Sequence, residues 1–206
     1  TTVLIRSGIY NEIFKPVNSG TKTSPIIYKN YNNERVVITG TSIDNRLATH
    51  PDDPNYYYGP IWFEYVNYTT VDGLNFSNVE GFGRIIRSNN NAFKNCNFYR
   101  TNADWIIGLH LFESNDNRFE NSLFEGASDN FRIVHSERNV IENNEFYLGD
   151  HVLLTLKCSS NNIIRGNYFN NQLQKIMEVL DCEQPTMFDH YNIYYQDREI
   201  FNETKY

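Results

Sequence analysis

The sequence is short of cysteine, long apolar segments and positive charge, and each shortage excludes a class of protein. Its three cysteines do not define a disulfide framework, although Cys158 and Cys182, 24 residues apart, could form one bond. No apolar run approaches the roughly 18 residues of a membrane span. The net charge of −7 argues against nucleic acid as a partner, because phosphate binding requires a basic surface.

Several signatures of other folds and chemistries are also missing. No segment shows the 3.6-residue apolar period of helical or leucine-rich repeats. There is no phosphate-binding loop, no zinc-spaced Cys/His cluster and no Gly-x-Ser-x-Gly elbow. A signal peptide is not visible either. Because residues 1–5 already predict a strand, we expect the chain to be trimmed at one or both ends.

A short pattern repeats between residues 61 and 181. It reads Ser-x-x-Asn-x-hydrophobic, with an aromatic five residues further on, and its copies begin at Ser88, Ser114, Ser136 and Ser159. The copies are 26, 22 and 23 residues apart, and all four positions of the pattern shift together. Such a period is typical of a solenoid, in which each unit buries its apolar face against its neighbours.

The segments between the turns predict strands. They are short, rich in Val, Ile, Phe and Tyr, and broken by Asn, Gly and Ser. Frequent Asn suits turn corners and ladders of side-chain amides. We therefore predict an all-β fold, a single-stranded right-handed parallel β-helix of seven to eight rungs.

When the repeat lengths are subtracted from the residue numbers, residues of successive coils align in four columns whose side chains are predicted to point inward. They are Ile61, Gly83, Leu109, Phe131, Leu154 and Met177; Phe63, Ile85, Leu111, Ile133, Leu156 and Val179; Val71, Phe93, Phe119, Ile141 and Ile164; and Phe76, Phe98, Phe124, Phe146 and Phe169. Cys96 falls at an inward turn position and is predicted to be a small core residue.

We interpret residues 1–206 as one domain. Residues 1–40 form opening rungs, 41–60 an inserted loop, 61–181 the regular rungs, and 182–206 a cap or a partial further rung. The inserted loop contains a run of three tyrosines, Tyr56 to Tyr58. It is either a carbohydrate-facing wall or a loop packed over the first rungs.

The opening segments carry a family resemblance. V-L-I-R-S-G-I-Y-N-E (residues 3–12), S-G-T-K-T-S-P-I-I-Y-K (19–29) and E-R-V-V-I-T-G (34–40) resemble the first turns of secreted right-handed β-helix proteins. The later N-x-I-x-x-N-x-F segments (139–146 and 162–169) resemble the same superfamily's repeats. The group contains lyases of alginate, chondroitin-type chains and pectate, and also members without known activity. The resemblance implies a β-helix that is secreted or on the cell surface.

The outward positions between the inward columns hold the candidate site. One outward column is Trp62, Arg84, His110, Arg132, Thr155 and Glu178, and the column beside it is Glu64, Ile86, Phe112, Val134, Lys157 and Leu180. Neighbours in a column of a parallel sheet are about 4.8 Å apart. Arg84, His110 and Arg132 therefore predict a basic lane, with Lys157 one rung further.

A polysaccharide lyase could use such a lane. Arg84 and Arg132 would bind the uronate carboxylates, and His110 or Lys157 would transfer the proton. The predicted substrate contacts are Trp62, Tyr56, Tyr57, Glu64 and Glu178. No cofactor is required by the sequence, but Asp104, Asp129 and Asp150, which precede three strands, could hold a calcium ion.

Other interpretations remain open. The lane could be a solvated polar face, with Arg84 paired to Glu64 and Arg132 to Asp129. A glycoside hydrolase is less favoured than a lyase, because its neighbouring aspartates, Gly-His-Gly turn and Arg-x-Lys strand are missing, apart from faint echoes at Asp150-His151 and Asp52-Asp53. The Asn and paired-His motif of alginate-lyase-type sites is missing too. A non-catalytic surface or adhesin-like module, with self-association or a protein partner in place of polysaccharide, is the second function hypothesis.

Overall fold

The described part of the chain consists of short strands joined by tight turns. The computed structural model describes residues 1–40, 59–78, 81–100, 107–149, 151–170, 175–180, 191–193 and 204–205. Within them the only helical element is a short 3-10 turn, Tyr31–Asn33. The same residues include no helix with the length and apolar character of a membrane span.

The strands follow the chain in a regular order. The first eleven are β1 (Thr2–Ile5), β2 (Gly8–Tyr10), β3 (Ile26–Asn30), β4 (Val36–Ile38), β5 (Ile61–Glu64), β6 (Thr69–Asp72), β7 (Asn75–Asn78), β8 (Gly83–Ile86), β9 (Ala92–Lys94), β10 (Asn97–Arg100) and β11 (Ile107–Phe112). The others are β12 (Arg118–Glu120), β13 (Leu123–Glu125), β14 (Asp129–Val134), β15 (Val140–Glu142), β16 (Glu145–Tyr147), β17 (Val152–Lys157), β18 (Ile163–Arg165), β19 (Tyr168–Asn170), β20 (Lys175–Leu180), β21 (Tyr191–Ile193) and β22 (Thr204–Lys205).

Three sheets run along the molecule. Each regular coil contributes one strand to each sheet, and the first coil, with β1 and β2, meets sheet C only through the bridge of Phe14 to Ile61. Sheet A has the order β1-β3-β6-β9-β12-β15-β18-β22, sheet B the order β2-β4-β7-β10-β13-β16-β19, and sheet C the order β5-β8-β11-β14-β17-β20-β21. All pairs are parallel except those of β21 with β20 and β22 with β18. The architecture is therefore a parallel β-helix. Six parallel strands of sheet C give about six turns, near the predicted number.

The predicted inward columns are confirmed by the strand register. In sheet C, Ile61 pairs with Gly83, Gly83 with Leu109, and the pairing continues residue for residue to Met177. The columns of sheets A and B are in register in the same way. Their apolar members form one buried cluster inside the coil. Each coil therefore buries its apolar side chains against the coils on either side.

A pile of phenylalanine rings occupies this core along sheet B. The ring centroids of Phe98 and Phe124 are 4.6 Å apart, and those of Phe124 and Phe146 are 4.9 Å apart. The pile extends to Phe76 at one end, at 5.4 Å, and to Phe169 at the other, at 4.9 Å. The ring planes are within 14° of parallel in every one of these contacts.

Hydrogen-bond ladders explain the repeated Ser-x-x-Asn. The Ser88 N–H donates to the Ser114 hydroxyl (3.0 Å), and Ser114 N–H donates to Ser136 in the same way (2.9 Å). Asn117 N–H donates to the Asn139 side-chain oxygen (2.9 Å), while the Asn139 amide donates back to the Ser114 carbonyl (3.1 Å). Ser and Asn thus satisfy buried backbone groups at a turn that has no strand partner.

The opening segments form strands, as expected for opening rungs. The first of them is divided into β1 and β2 by a bend at Arg6-Ser7, where Glu34 accepts hydrogen bonds from the Arg6 guanidinium and the Ser7 N–H. At the other end, the described pieces of residues 182–206 are β21 and β22, which pair antiparallel to β20 and β18.

The cysteines occupy different environments. Cys96 is a free, fully buried cysteine at an inward turn, as predicted. Cys158 is disulfide-bonded. Cys182, the partner considered from the sequence, lies outside the described residues.

Cys96 is expected to be unreactive in the folded protein. Burial raises the pKa of its thiol to about 12, so the reactive thiolate is scarce near neutral pH. We expect a maleimide to leave Cys96 unmodified in the native protein and to modify it fully in denaturant, measured on the Cys96 peptide by mass spectrometry. Equal rates of modification in both states would contradict the buried position.

Candidate functional site

The predicted outward column of sheet C is confirmed in its register. Trp62 pairs with Arg84, Arg84 with His110, His110 with Arg132, Arg132 with Thr155, and Thr155 with Glu178. The second outward column, from Glu64 to Leu180 and including Lys157, is also in register. We call this surface the outer face of sheet C. It brings together residues that are more than 100 positions apart in the chain.

Much of the outer face is buried. Arg84 and His110 are 0% exposed, and Thr155 is 1% exposed. Ile86 and Val134 of the second column are buried as well. A freely solvated face would leave these side chains in water, so that alternative is wrong at these positions. Arg132 and Lys157 are partly exposed, and they are the cations of the lane that reach the surface.

Arg84 fixes the hydrogen-bonding state of His110. The Arg84 Nη2 lies 3.2 Å from the His110 Nδ1. A guanidinium has only donors, so the Nδ1 must supply a lone pair and a neutral His110 carries its proton on Nε2. His110 is fully buried, so its Nε2–H is closed to a substrate as well. The predicted role of His110 as a proton acceptor would require loss of the Arg84 hydrogen bond.

Trp62 lies at the first rung of the column. Its indole Nε1–H donates to the Glu64 carboxylate at 3.1 Å. The Lys15 ammonium lies 5.1 Å from the centre of the Trp62 ring, within the range of a cation–π contact. A sugar that stacks on Trp62 would therefore use the ring face away from Lys15, or displace the lysine.

A histidine–aspartate pair lies at the other end of the column. His151 Nδ1 is 2.8 Å from the Asp129 Oδ1, and the Thr155 hydroxyl donates to Asp129 Oδ2 at 3.4 Å. Next to this pair, the Lys175 ammonium donates to buried Glu178 at 2.8 Å. Glu178, predicted to contact substrate, is thus ion-paired within the protein.

The Asp129 hydrogen bond changes the proton affinity of His151. It raises the pKa of the imidazole above its ordinary value, because the carboxylate stabilises the protonated ring. Partial burial acts in the opposite direction but is the smaller effect. No role for His151 was predicted from the sequence, although it is 22 residues from Asp129, one coil of the repeat.

Several predicted site residues lie outside the described residues. They are Tyr56 and Tyr57 of the predicted loop wall and Asp104 and Asp150 of the predicted calcium site. The third predicted calcium ligand, Asp129, has both carboxylate oxygens in the hydrogen bonds to His151 and Thr155. Within the described ranges, no three His, Cys, Asp or Glu side chains are grouped so that they could hold a metal ion.

Comparison with known proteins agrees with the fold. A family model described as "Right handed beta helix region" matches residues 61–191, more than half of the chain. The chain belongs to this family. The β-helix is thus right-handed, which is the handedness predicted from the general rule for strand crossovers.

Two individual proteins are similar to this β-helix protein. The crystal structure of an alginate lyase from Paenibacillus sp. str. FPU-7 superposes with a TM-score of 0.52 at 15% identity, covering 84% of this chain and 68% of that one. Similarity at this level of identity shows the fold alone. A segment of 45 residues is 51% identical to the uncharacterized protein YwoF of Bacillus subtilis (strain 168). That segment covers 22% of this chain and 10% of YwoF.

Proposed function

We propose that this β-helix protein binds an acidic polysaccharide on the outer face of sheet C and cleaves it by β-elimination. The observation that carries the proposal is the stacking of Arg84, His110 and Arg132 on adjacent strands in one register. The two guanidinium groups give this face positive charge, and partly exposed Arg132 can contact a carboxylate of the polymer, whereas Arg84 and His110 are fully buried. The shared fold with an alginate lyase supports the substrate class, without assigning roles to residues.

The exposure of each side chain determines whether it can contact the substrate directly. Partly exposed Arg132 contacts the uronate carboxylate, and its planar fork suits two-point binding. Buried Arg84 forms the hydrogen bond to His110 and adds a fixed positive charge two strands from Arg132. Neutralising the carboxylate lowers the energy of the carbanion that forms when the adjacent proton leaves. Lys157, also partly exposed on this face, is a candidate for proton transfer to the leaving oxygen.

The proposal includes a location outside the cell, secreted or on the surface, where such polymers are found. The disulfide bond of Cys158 supports this location, because structural disulfides persist mainly in oxidising compartments.

The direct test is the appearance of unsaturated product. Wild-type protein would be incubated with alginate, polygalacturonate and chondroitin sulfate, each with calcium and with a chelator, while ultraviolet absorbance is followed. We expect product from at least one polymer. Absence of product from all three, with calcium and with chelator, would contradict the lyase proposal.

Arg132→Ala is expected to reduce turnover of the active polymer by about 10²-fold or more, since it removes the exposed carboxylate contact. Arg132→Lys should recover part of this loss, because the charge remains but the two-point fork does not. Arg138→Ala is the matched control: Arg138 is half exposed at a turn and paired with Asp116 and Glu137, and its loss should leave turnover unchanged. Equal effects of Arg132→Ala and Arg138→Ala would contradict a specific role for Arg132.

A second function, a non-catalytic interaction module, is favoured by one observation. Arg84 and His110 of the lane are buried, as is Glu178 further along the same column, so a large part of this face is closed to a polymer. In that case the rigid stack would present its surfaces to another protein or to a second copy. Light scattering that shows concentration-dependent assembly, together with no product and no binding of the three polymers, would favour this function.

A further inference from the structure

His151, on the outer face of sheet C, can transfer a proton but has no role in the function proposed above. His151 precedes β17, and its side chain is 34% exposed, whereas that of His110 is fully buried. The Asp129 carboxylate accepts a hydrogen bond from the His151 Nδ1–H at 2.8 Å. This bond holds the ring in the tautomer that leaves a lone pair on Nε2. A partly exposed imidazole oriented by a carboxylate has the geometry of a general base.

The pair is joined to the basic lane through Thr155. Thr155 is the register partner of Arg132 on the neighbouring strand, and its hydroxyl donates to the second oxygen of Asp129. Arg132 and the Asp129–His151 pair therefore lie on one face, connected by a single side chain. A carboxylate bound by Arg132 would place the adjoining sugar carbons at this end of the lane.

We propose that His151 is the catalytic base of the β-elimination and that Asp129 is its positioning residue. The inference rests on the proposed lyase function. It replaces His110 in this role, because Arg84 already uses the Nδ1 lone pair of His110. It also gives the Asp129 carboxylate a part in proton transfer in place of calcium binding.

The step is balanced without a cofactor. The His151 Nε2 lone pair takes the proton from the carbon next to the uronate carboxylate. The electron pair of that C–H bond forms the new carbon–carbon double bond, and the adjacent carbon–oxygen bond breaks. The departing glycosidic oxygen takes a proton from the Lys157 ammonium, and the imidazolium returns its proton to the lysine through water.

The direction of the pH dependence follows from the charged groups around His151. Among the described residues these are Asp129 on β14 and Lys175 and Glu178 on β20. The Asp129 carboxylate and, less strongly, Glu178 raise the pKa of His151, and Lys175 lowers it. The base is active only when neutral, so kcat/KM should rise as the pH increases through this raised pKa. Asp129→Asn removes the largest raising effect and should move this acid limb to lower pH.

The test uses the polymer that wild-type protein cleaves, with the binding of that polymer measured separately. His151→Ala should lose about 10²- to 10⁴-fold in kcat while polymer binding stays within a few-fold. Added imidazole should restore part of the His151→Ala activity. The matched control is His135→Ala, because His135 is an exposed histidine that contacts only the Phe112 ring among the aromatic contacts described. Its turnover should equal that of wild type.

The outcomes separate this inference from the function it rests on. If wild type yields product and His151→Ala retains the wild-type rate, the base is another group and this inference is overturned alone. If wild type yields no product from any polymer, the lyase function and the inference fall together. If circular dichroism shows that His151→Ala is misfolded, the Asp129→Asn profile decides: an acid limb at lower pH supports the inference, and an unmoved limb overturns it.

Discussion

Phe124→Ala is expected to lower the free energy of unfolding by about 3–5 kcal/mol. Phe124 is fully buried in the middle of the phenylalanine pile and stacks with Phe98 on one side and Phe146 on the other. Phe131 of sheet C closes a third side, with ring centroids 5.4 Å apart. Removing the ring therefore leaves a cavity surrounded by rings that belong to three different strands.

The solenoid makes this cavity costly. Each coil is stabilised mainly by its two neighbours, so a hole between coils weakens the contacts on both sides of it. Urea denaturation followed by far-ultraviolet circular dichroism would measure the change. The control is Phe124→Leu, which keeps much of the volume and should cost roughly 1.5 kcal/mol. A cost below about 1 kcal/mol for Phe124→Ala would show that the coils close around the cavity, against the packing described here.

The repeating core was predictable from the sequence because two periods act together. Inward positions alternate along each strand, and the coil length shifts the whole pattern by 22 to 26 residues. Only one register places Phe98, Phe124 and Phe146 in a common column, and a slip by one residue would turn every ring outward. The same two periods predicted the order of residues along the outer face of sheet C.

Burial of the outer face was not predictable in this way. Arg84 would have the same position in the repeat whether its outward side chain lay in water or was covered by other side chains. What distinguishes them is the structure that lies over the sheet, and strand periodicity carries no information about it. The position of the lane was therefore predictable from the sequence, but the closure of His110 to solvent was not.

The Asp129–His151 pair was missed for a related physical reason. Asp129 is the first residue of β14, and His151 comes just before β17, the neighbouring strand of sheet C. At strand ends the alternation of side-chain directions does not yet hold. Their separation of one coil predicted that they are neighbours, but not that the two side chains turn towards each other. The hydrogen bond that makes His151 a candidate base is visible only in the structure.

The asparagine ladder gives the second large effect. Asn139 is fully buried, and its side-chain oxygen accepts hydrogen bonds from the Asn117 backbone N–H and side-chain amide. Its own amide donates to the Ser114 carbonyl and to the Asn162 side chain. Asn139→Ala leaves these groups buried without their partner, at about 1–3 kcal/mol for each unsatisfied group. We expect a total loss of roughly 3–5 kcal/mol in the free energy of unfolding, because such costs are not additive.

An exposed asparagine supplies the control for this ladder. The Asn97 amide also bonds to an asparagine, Asn75, at 2.7 Å, but water can replace that partner. Asn97→Ala should therefore cost about 0.5 kcal/mol or less by urea denaturation. The double variant Asn117→Ala/Asn139→Ala should cost less than the sum of the two single variants, because each single variant already removes the hydrogen bond from the Asn117 amide to the Asn139 side-chain oxygen. Strict additivity would mean that the two amides act independently, and the ladder would then not explain why Ser-x-x-Asn recurs in four successive coils.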